Sequence, residues 1–168
     1  MDNAKNGLQN YKDRKFPKKI CFIPIGIIHA PFETLKEIPI QFSMSNVKGV
    51  IEIFPEYKSA LNDLDGFSHM YCIYYFDMVK LPVRLLSKPF LDEIERGAFA
   101  SRTPFRPNPI GISVLEILEI KDNMISVNNL DILNKTPILD IKPYIPQFDT
   151  IDAKKIGWLK GKIMEKGS

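Results

Sequence analysis

The chain has 168 residues, 45% of them apolar, with 23 Lys and Arg against 20 Asp and Glu. That size suits one domain with a sizeable core, and two cysteines with two histidines exclude a disulfide framework and offer no metal-ligand spacing. A polar, charged start and the lack of any apolar run of membrane-spanning length point to a cytoplasmic protein with no membrane contact. Charge is uneven along the chain. Met1 to Lys19 holds six basic and two acidic residues and residues 153–168 hold five and one, leaving twelve basic and seventeen acidic residues in the body. The expected organisation is therefore a basic mobile arm (1–19), a single domain (20–152) and a basic tail (153–168). Such tails either contact a nucleic-acid backbone or are solvated termini.

Taken in order, Ile20 to Ile28 is rich in β-branched residues and reads as a strand, with Pro24 implying an edge or a bulge. Glu33 to Asn46 lacks a period and forms a long loop. Lys48 to Phe54 is a second strand, and Pro55 to Leu61 a short helix with Pro at its first position and Tyr57, Leu61 and Leu64 on one face. Asp65-Gly66 turns the chain into the aromatic run Ser68 to Phe76, a strand covered on both faces. Pro89 to Arg96 reads as another short helix stopped by Gly97. Ile112 to Ile120 and Met124 to Asn128 flank Lys121-Asp122-Asn123 as a hairpin with a three-residue turn, and Pro137 to Lys142 makes a further strand. Cys21 and Cys72 lie in apolar strand-like runs and read as buried, reduced thiols. Six or so strands, no helix between each pair and no internal repeat predict a mainly β protein, a single-domain antiparallel β-barrel with a few short helices. No glycine-rich dinucleotide fingerprint is present.

The stretch from Gly97 to Ser113, GAFASRTPFRPNPIGIS, concentrates the chemistry. Pro104, Pro107 and Pro109 fix backbone torsions and push Thr103, Arg106 and Asn108 towards extended conformations, giving a stiff loop. Arg102 and Arg106 are forked, permanently charged donors suited to carboxylates or phosphates. A proline-rich turn with solvated arginines is the plainer alternative.

Four motifs then occur in sequence: Ile25 to Phe32 (IGIIHAPF), Gly66 to His69 (GFSH), Phe99 to Gly111 (FASRTPFRPNPIG) and Thr136 to Tyr144 (TPILDIKPY). In this order and over roughly Ile20 to Asp149, they resemble the TsaA-like tRNA methyltransferases. The resemblance implies a homodimeric β-barrel enzyme that uses S-adenosyl-L-methionine and binds tRNA, methylating N6 of threonylcarbamoyl-adenosine beside the anticodon of a threonine tRNA. It places the cofactor against Pro39, Ile40 and Gln41, against Asp77 and Met78, against Arg102 with Ile112 nearby, and against Asp131, Ile132, Leu133 and Asn134. Ile40 stands where many members have Arg, Asp77 where many have His, and Asn134-Lys135 where Asp-Gly is usual.

A methyl donor of this kind needs alignment and exclusion of water and no metal. Arg102 suits the cofactor carboxylate and Arg106 the threonyl carboxylate of the substrate. Asn108 or Asp140 is the candidate catalytic proton acceptor, with Asn108, Lys142 and Tyr144 also facing the substrate. Asp140 equally suits a role satisfying backbone donors at a strand end, and His69 reads as a structural hydrogen-bonding residue. Tyr71, Tyr74, Tyr75 and Phe76 read as core or dimer contacts, with a base-stacking platform as the alternative. Two other classes stay open: an S-adenosyl-L-methionine-binding barrel without transfer, and an RNA-binding module.

Overall fold

Side-chain alternation builds the strands. His69–Tyr75 (β3) buries Met70, Cys72 and Tyr74 while its odd-numbered residues face outward, and Gly49–Ile53 (β2) buries Ile51 and Ile53 in the same way. The computed structural model describes residues 17–34, 37–38, 45–80 and 82–163. Together with Gly26–His29 (β1), Ile110–Lys121 (β6), Met124–Asn128 (β7) and Pro137–Pro143 (β8), these strands close a barrel in the order β1-β2-β7-β6-β3-β8, antiparallel at every seam. Leu86–Ser87 (β4) and Arg96–Gly97 (β5) form a separate small hairpin.

A six-stranded barrel is narrow, so its interior fills with side chains rather than enclosing a channel. Ile28, Ile51, Met70, Cys72, Leu115, Ile125, Val127 and Ile138 are all fully buried there, each apolar chain of the larger kind contributing about 1.5–3 kcal/mol. Register shifts between Ile73 and Tyr74 and between Ile117 and Glu119 supply the irregularities that let the sheet curve shut. Leu130 enters from the β7–β8 connection and packs so tightly on Gly49 that an added Cβ would lie 2.3 Å from its Cδ2. Its backbone is pinned by the Ser45 hydroxyl, which donates to the Leu130 carbonyl at 2.5 Å, and by its own amide donating to Val47 O at 3.0 Å.

The expected barrel and its strand segments are observed, with four differences. The first strand is confined to Gly26–His29; Ile20, Phe22 and Ile23 are exposed, because Pro24 removes a ladder donor and the chain joins the sheet only after it. Cys21 is accordingly exposed rather than buried, whereas Cys72 sits in the core, where burial and the Asp131 charge raise its thiol well above the usual range. No helix forms over Pro89 to Arg96. There the Asp92 carboxylate accepts from the Ile94 amide and the Arg96 guanidinium, which favours the turn of the β4–β5 hairpin over a helical ladder. The β6–β7 turn has two residues rather than three, since Lys121 still pairs with Met124 and Asp122 takes a left-handed φ of 57°. Pro55–Leu61 is a 3-10 helix whose Tyr57 and Leu61 pack on the core, beside the buried Leu64.

Candidate active site at one mouth of the barrel

Antiparallel pairing sorts the connections by end. The β1–β2 connection, the long β3–β6 connection that holds the proline-rich loop, and the β7–β8 connection all leave from the same mouth. This is the end where Tyr75 pairs with Ile110, and where Gly26 and Ile27 of β1 pair with Ile138 and Pro137 at the start of β8. Loops that are 30 to 50 residues apart in sequence meet there because of topology alone.

At this mouth the inward positions of β6 are Gly111 and Ser113, small enough to admit the Tyr74 ring from β3. An added Cβ on Gly111 would lie 2.2 Å from Tyr74 Cε2. The Ser113 hydroxyl, fully buried, donates to Asp131 Oδ1 at 2.6 Å and lies 3.3 Å from the Tyr74 hydroxyl. A hydrogen-bonded row, Tyr74–Ser113–Asp131, thus links the barrel wall to the β7–β8 loop. Burial raises the Tyr74 hydroxyl well above its usual range and the Asp131 charge raises it further, while the Ser113 hydrogen bond and the Arg102 charge act the other way. Tyr74 therefore stays a neutral phenol, with a carboxylate and a guanidinium both within electrostatic reach of it.

Asp131, Ile132, Leu133 and Asn134 occupy a stiff loop flanked by left-handed Asn129 (φ 62°) and Lys135 (φ 65°). Ile132 is buried, and the Asn134 side chain accepts from the Ala30 amide at 3.1 Å and donates to Glu33 Oε1 at 2.8 Å. Asn134 thus ties the β7–β8 loop to the residues after β1 instead of projecting freely into the mouth. Lys135 explains the departure from Asp-Gly: an L-residue fills a left-handed position that glycine occupies without penalty.

Asp77 and Met78 follow β3 directly, both exposed, after the Phe76 amide has donated to Pro109 O at 2.8 Å. Arg102 is exposed at the end of the short 3-10 turn Ala98–Ala100. Ile112 is 52% exposed and faces out of the barrel beside Ile73. Arg106 and Asn108 share a cavity of about 300 Å³ with Phe99, Pro107 and Ile110, and the Arg106 guanidinium lies 6.0 Å from the Phe99 ring centre. Pro39, Ile40 and Gln41 lie outside the described residues, as does most of the basic arm.

Three expected site residues are not brought into this gathering. Asp140 sits in mid-strand on the outer face, accepting from the Ile141 amide and pairing with Lys142 Nζ at 2.7 Å. Lys142 and Tyr144 end β8 at the opposite mouth, where the Tyr144 amide donates to His69 O. The six steps of β3 from His69 to Tyr75 span about 20 Å at strand rise. Tyr144 instead packs edge-on against Tyr71 and His69, with its hydroxyl 3.3 Å from Thr150 Oγ1, and His69 itself lies 2.9 Å from Ser68 Oγ. Among the aromatic run, Tyr74 is core, Tyr75 is exposed, Tyr71 is half-buried and Phe76 packs against the core.

Sequence reasoning missed Tyr74, Gly111 and Ser113, although the small inward residues among ISVLEI were a legible signal. It also missed the C-terminal strap. After β8 the chain returns to the candidate mouth, where Trp158 Nε1 donates to Ala100 O at 2.7 Å and lies under the Arg96 guanidinium. Lys162 and Arg96 both reach the buried Asp92 carboxylate at 2.6 Å, and their hydrogen bonds hold it well below the usual carboxylate range. Among the described residues no group of three or more His, Cys, Asp or Glu side chains is placed to hold a metal ion, and no helix is long and apolar enough to cross a membrane.

Six strands closed antiparallel, with the three connections that carry these side chains at one mouth, define the chain as a mainly β barrel. The family described as the tRNA-methyltransferase O N-terminal domain matches residues 27–150, and the chain belongs to it. A probable S-adenosyl-L-methionine-binding protein of Pyrococcus abyssi is 47% identical over 148 residues, covering 88% of this chain and 80% of that protein. The tRNA (adenine(37)-N6)-methyltransferase of Escherichia coli is 32% identical over 140 residues, covering 74% of this chain and 57% of its own length. A crystal structure of TrmO superposes with a TM-score of 0.69 at 33% identity, covering 82% of this chain and 63% of the TrmO chain. The chain thus spans 57% of the Escherichia coli methyltransferase and 30% of the human tRNA (adenine(37)-N6)-methyltransferase that it also matches.

Proposed function

We propose that the protein is an S-adenosyl-L-methionine-dependent tRNA methyltransferase that modifies N6 of the adenosine next to the anticodon, with threonylcarbamoyl-adenosine in a threonine tRNA as the acceptor. The observation that carries this reading is that Arg102, Arg106 and Asn108 from the β3–β6 connection and Asp131 from the β7–β8 connection lie at one barrel mouth. The residues there suit a zwitterionic nucleoside ligand: Arg102 for its carboxylate, Asp131 for its cationic or amino groups, and Ile112 with Met78 for its apolar surface. Bound there, the cofactor supplies a methyl group already activated on sulfur.

The chain's own contribution is alignment and exclusion of water. Arg106, beside Asn108 in the same cavity, would hold the threonyl carboxylate, and Asn108 would accept the hydrogen bond of the acceptor N6–H and orient it, the proton that N6 gives up on methylation passing on to solvent water. Asp140 serves this role less well, since Lys142 and the Ile141 amide already engage its carboxylate. Exposed Tyr75, Met78 and Ile112 on the outer wall near this mouth favour a homodimer in which a second copy covers them. Such an enzyme would work in the cytoplasm alongside its tRNA, with the basic arm and tail adding phosphate contacts.

Titration calorimetry with S-adenosyl-L-methionine, followed by mass spectrometry of anticodon-loop nucleosides after incubation with modified tRNA, tests the reading. Binding and a mass gain of one methyl group on threonylcarbamoyl-adenosine are expected. Binding without transfer would support the second reading, a cofactor-binding barrel alone, in keeping with the naming of several archaeal relatives as S-adenosyl-L-methionine-binding proteins. Absence of cofactor binding would refute both and leave an RNA-binding module.

A further inference from the structure

The body of the chain is acidic, yet half of its twelve basic residues fall within 80–108: Lys80, Arg84, Lys88, Arg96, Arg102 and Arg106, against Asp92, Glu93 and Glu95. Arg96 is consumed by Asp92, and Arg102 and Arg106 belong to the site already described. Of the remaining three, Lys80, Arg84 and Lys88, the last two lie together. They line a cleft of about 520 Å³ between the β4–β5 hairpin and the proline-rich loop, together with Leu86, Ser87, Glu95, Thr103 and Phe105.

This cleft has the parts of a nucleotide site. The Arg84 guanidinium stands over the Phe105 ring, 5.3 Å from its centre, and the Arg84 amide donates to Phe105 O at 3.1 Å, so the backbone holds the pair together as a stacking platform. Arg84 makes no ion pair among the described residues, and Lys88 has only an exposed contact with Glu93 at 3.5 Å. The Ser87 hydroxyl is buried in the cleft wall with no hydrogen-bond partner among the described residues, a condition that costs free energy until something satisfies it. Thr103 and Phe105 belong to the same loop as Arg106 and Asn108, so the cleft and the acceptor cavity lie along one loop.

We propose that this hairpin cleft binds a single-stranded RNA nucleotide flanking the methylated one, its base stacked on the Arg84–Phe105 platform and its phosphate held by Lys88. The inference rests on the tRNA reading above and adds a second RNA contact to it. Stacking on an Arg-aromatic pair with a nearby cation is how unpaired bases are commonly held without demand on sequence. Glu95 at the rim disfavours a free polyanion lying along the cleft and leaves room for one phosphate.

The test uses the full chain and a fluorescein-labelled anticodon stem-loop RNA, with anisotropy measured across a salt series. Arg84→Gln with Lys88→Gln is expected to weaken binding about tenfold at physiological salt and to lower the salt slope by about 0.7, the one phosphate contact of Lys88 on a single strand. Arg84→Lys should keep the slope while losing affinity, since it retains the charge and gives up the flat fork. Cofactor affinity and melting temperature should match the wild type in both variants. Equal RNA affinity and slope in wild type and the double variant would overturn the cleft while leaving the tRNA reading intact. Failure of the wild type to bind RNA would overturn both.

Discussion

Gly111→Ala tests the contact on which the candidate mouth is built. An alanine Cβ at that position would stand 2.2 Å from Tyr74 Cε2, 2.3 Å from Cζ and 2.8 Å from the hydroxyl oxygen. Tyr74 is 6% exposed and wedged edge-on against Phe76 at 5.2 Å between ring centres, so the ring has little room to retreat. Overpacking of this kind costs about 1–3 kcal/mol. In a protein of this length each kcal/mol moves the melting temperature by about 2–4 °C, so a fall on the order of 2–12 °C is expected. Displacing Tyr74 also breaks its contact with Ser113, the residue that donates to Asp131, so cofactor affinity should fall with stability. The assay is differential scanning fluorimetry of Gly111→Ala, Tyr74→Leu and the double variant, with calorimetric binding of the cofactor. Leucine lacks the outer ring atoms, so the alanine should cost less in the Tyr74→Leu background. A melting temperature within 1 °C or so of wild type, or the same cost in both backgrounds, would refute the clash as the cause.

Arg102→Ala should weaken S-adenosyl-L-methionine about tenfold or more, the loss of one charge-assisted contact, whereas Arg106→Ala should leave that affinity unchanged and raise the Michaelis constant for tRNA; equal losses for both ligands would contradict the division. Lys135→Gly should raise the melting temperature by relieving a left-handed L-residue, a gain of about 0.5–1 kcal/mol after the added chain entropy of glycine, and no change would show the strain to be absent. Asp92 has a lowered folded pKa, so its contribution to holding the strap is complete above the ordinary carboxylate value of 3.8 and is lost as pH falls below it. Trp158 is the single tryptophan, so its fluorescence should report release of the strap on acidification, and Asp92→Asn should produce that released spectrum at neutral pH; an unchanged emission maximum in the variant would dismiss the ion pair as the latch. Cofactor should raise the melting temperature more at higher protein concentration if the site is completed by a second copy, and sedimentation of a monomer with full cofactor affinity would rule that out.

Strand segments were legible because their information is local. Period-two alternation in HMYCIYY and IGISVLEI states which side chains face the core, and the turn residues state where strands end. The stiffness of the proline-rich loop and the pairing of Arg106 with Asn108 were equally local, since proline acts on its immediate neighbours. The family resemblance reached further than local pattern, since it led to the expectation that Arg102 and Asp131 face one cofactor although 29 positions separate them in the sequence.

Closure of the barrel decided the rest. Whether TPILDIKPY delivers Lys142 and Tyr144 to the site or away from it depends on strand direction and register, and antiparallel pairing with β3 sends them to the far mouth. The Pro89 to Arg96 segment has a helix-compatible composition, but one carboxylate, Asp92, gathers Ile94, Arg96 and Lys162, the last 70 residues later, and a hairpin results. Long-range hydrogen bonds of that kind leave no periodic trace in a sequence. The Tyr74–Ser113–Asp131 row is of the same nature: three ordinary residues on separate segments acquire a shared role only when the barrel brings them within hydrogen-bonding distance in a space from which water is excluded.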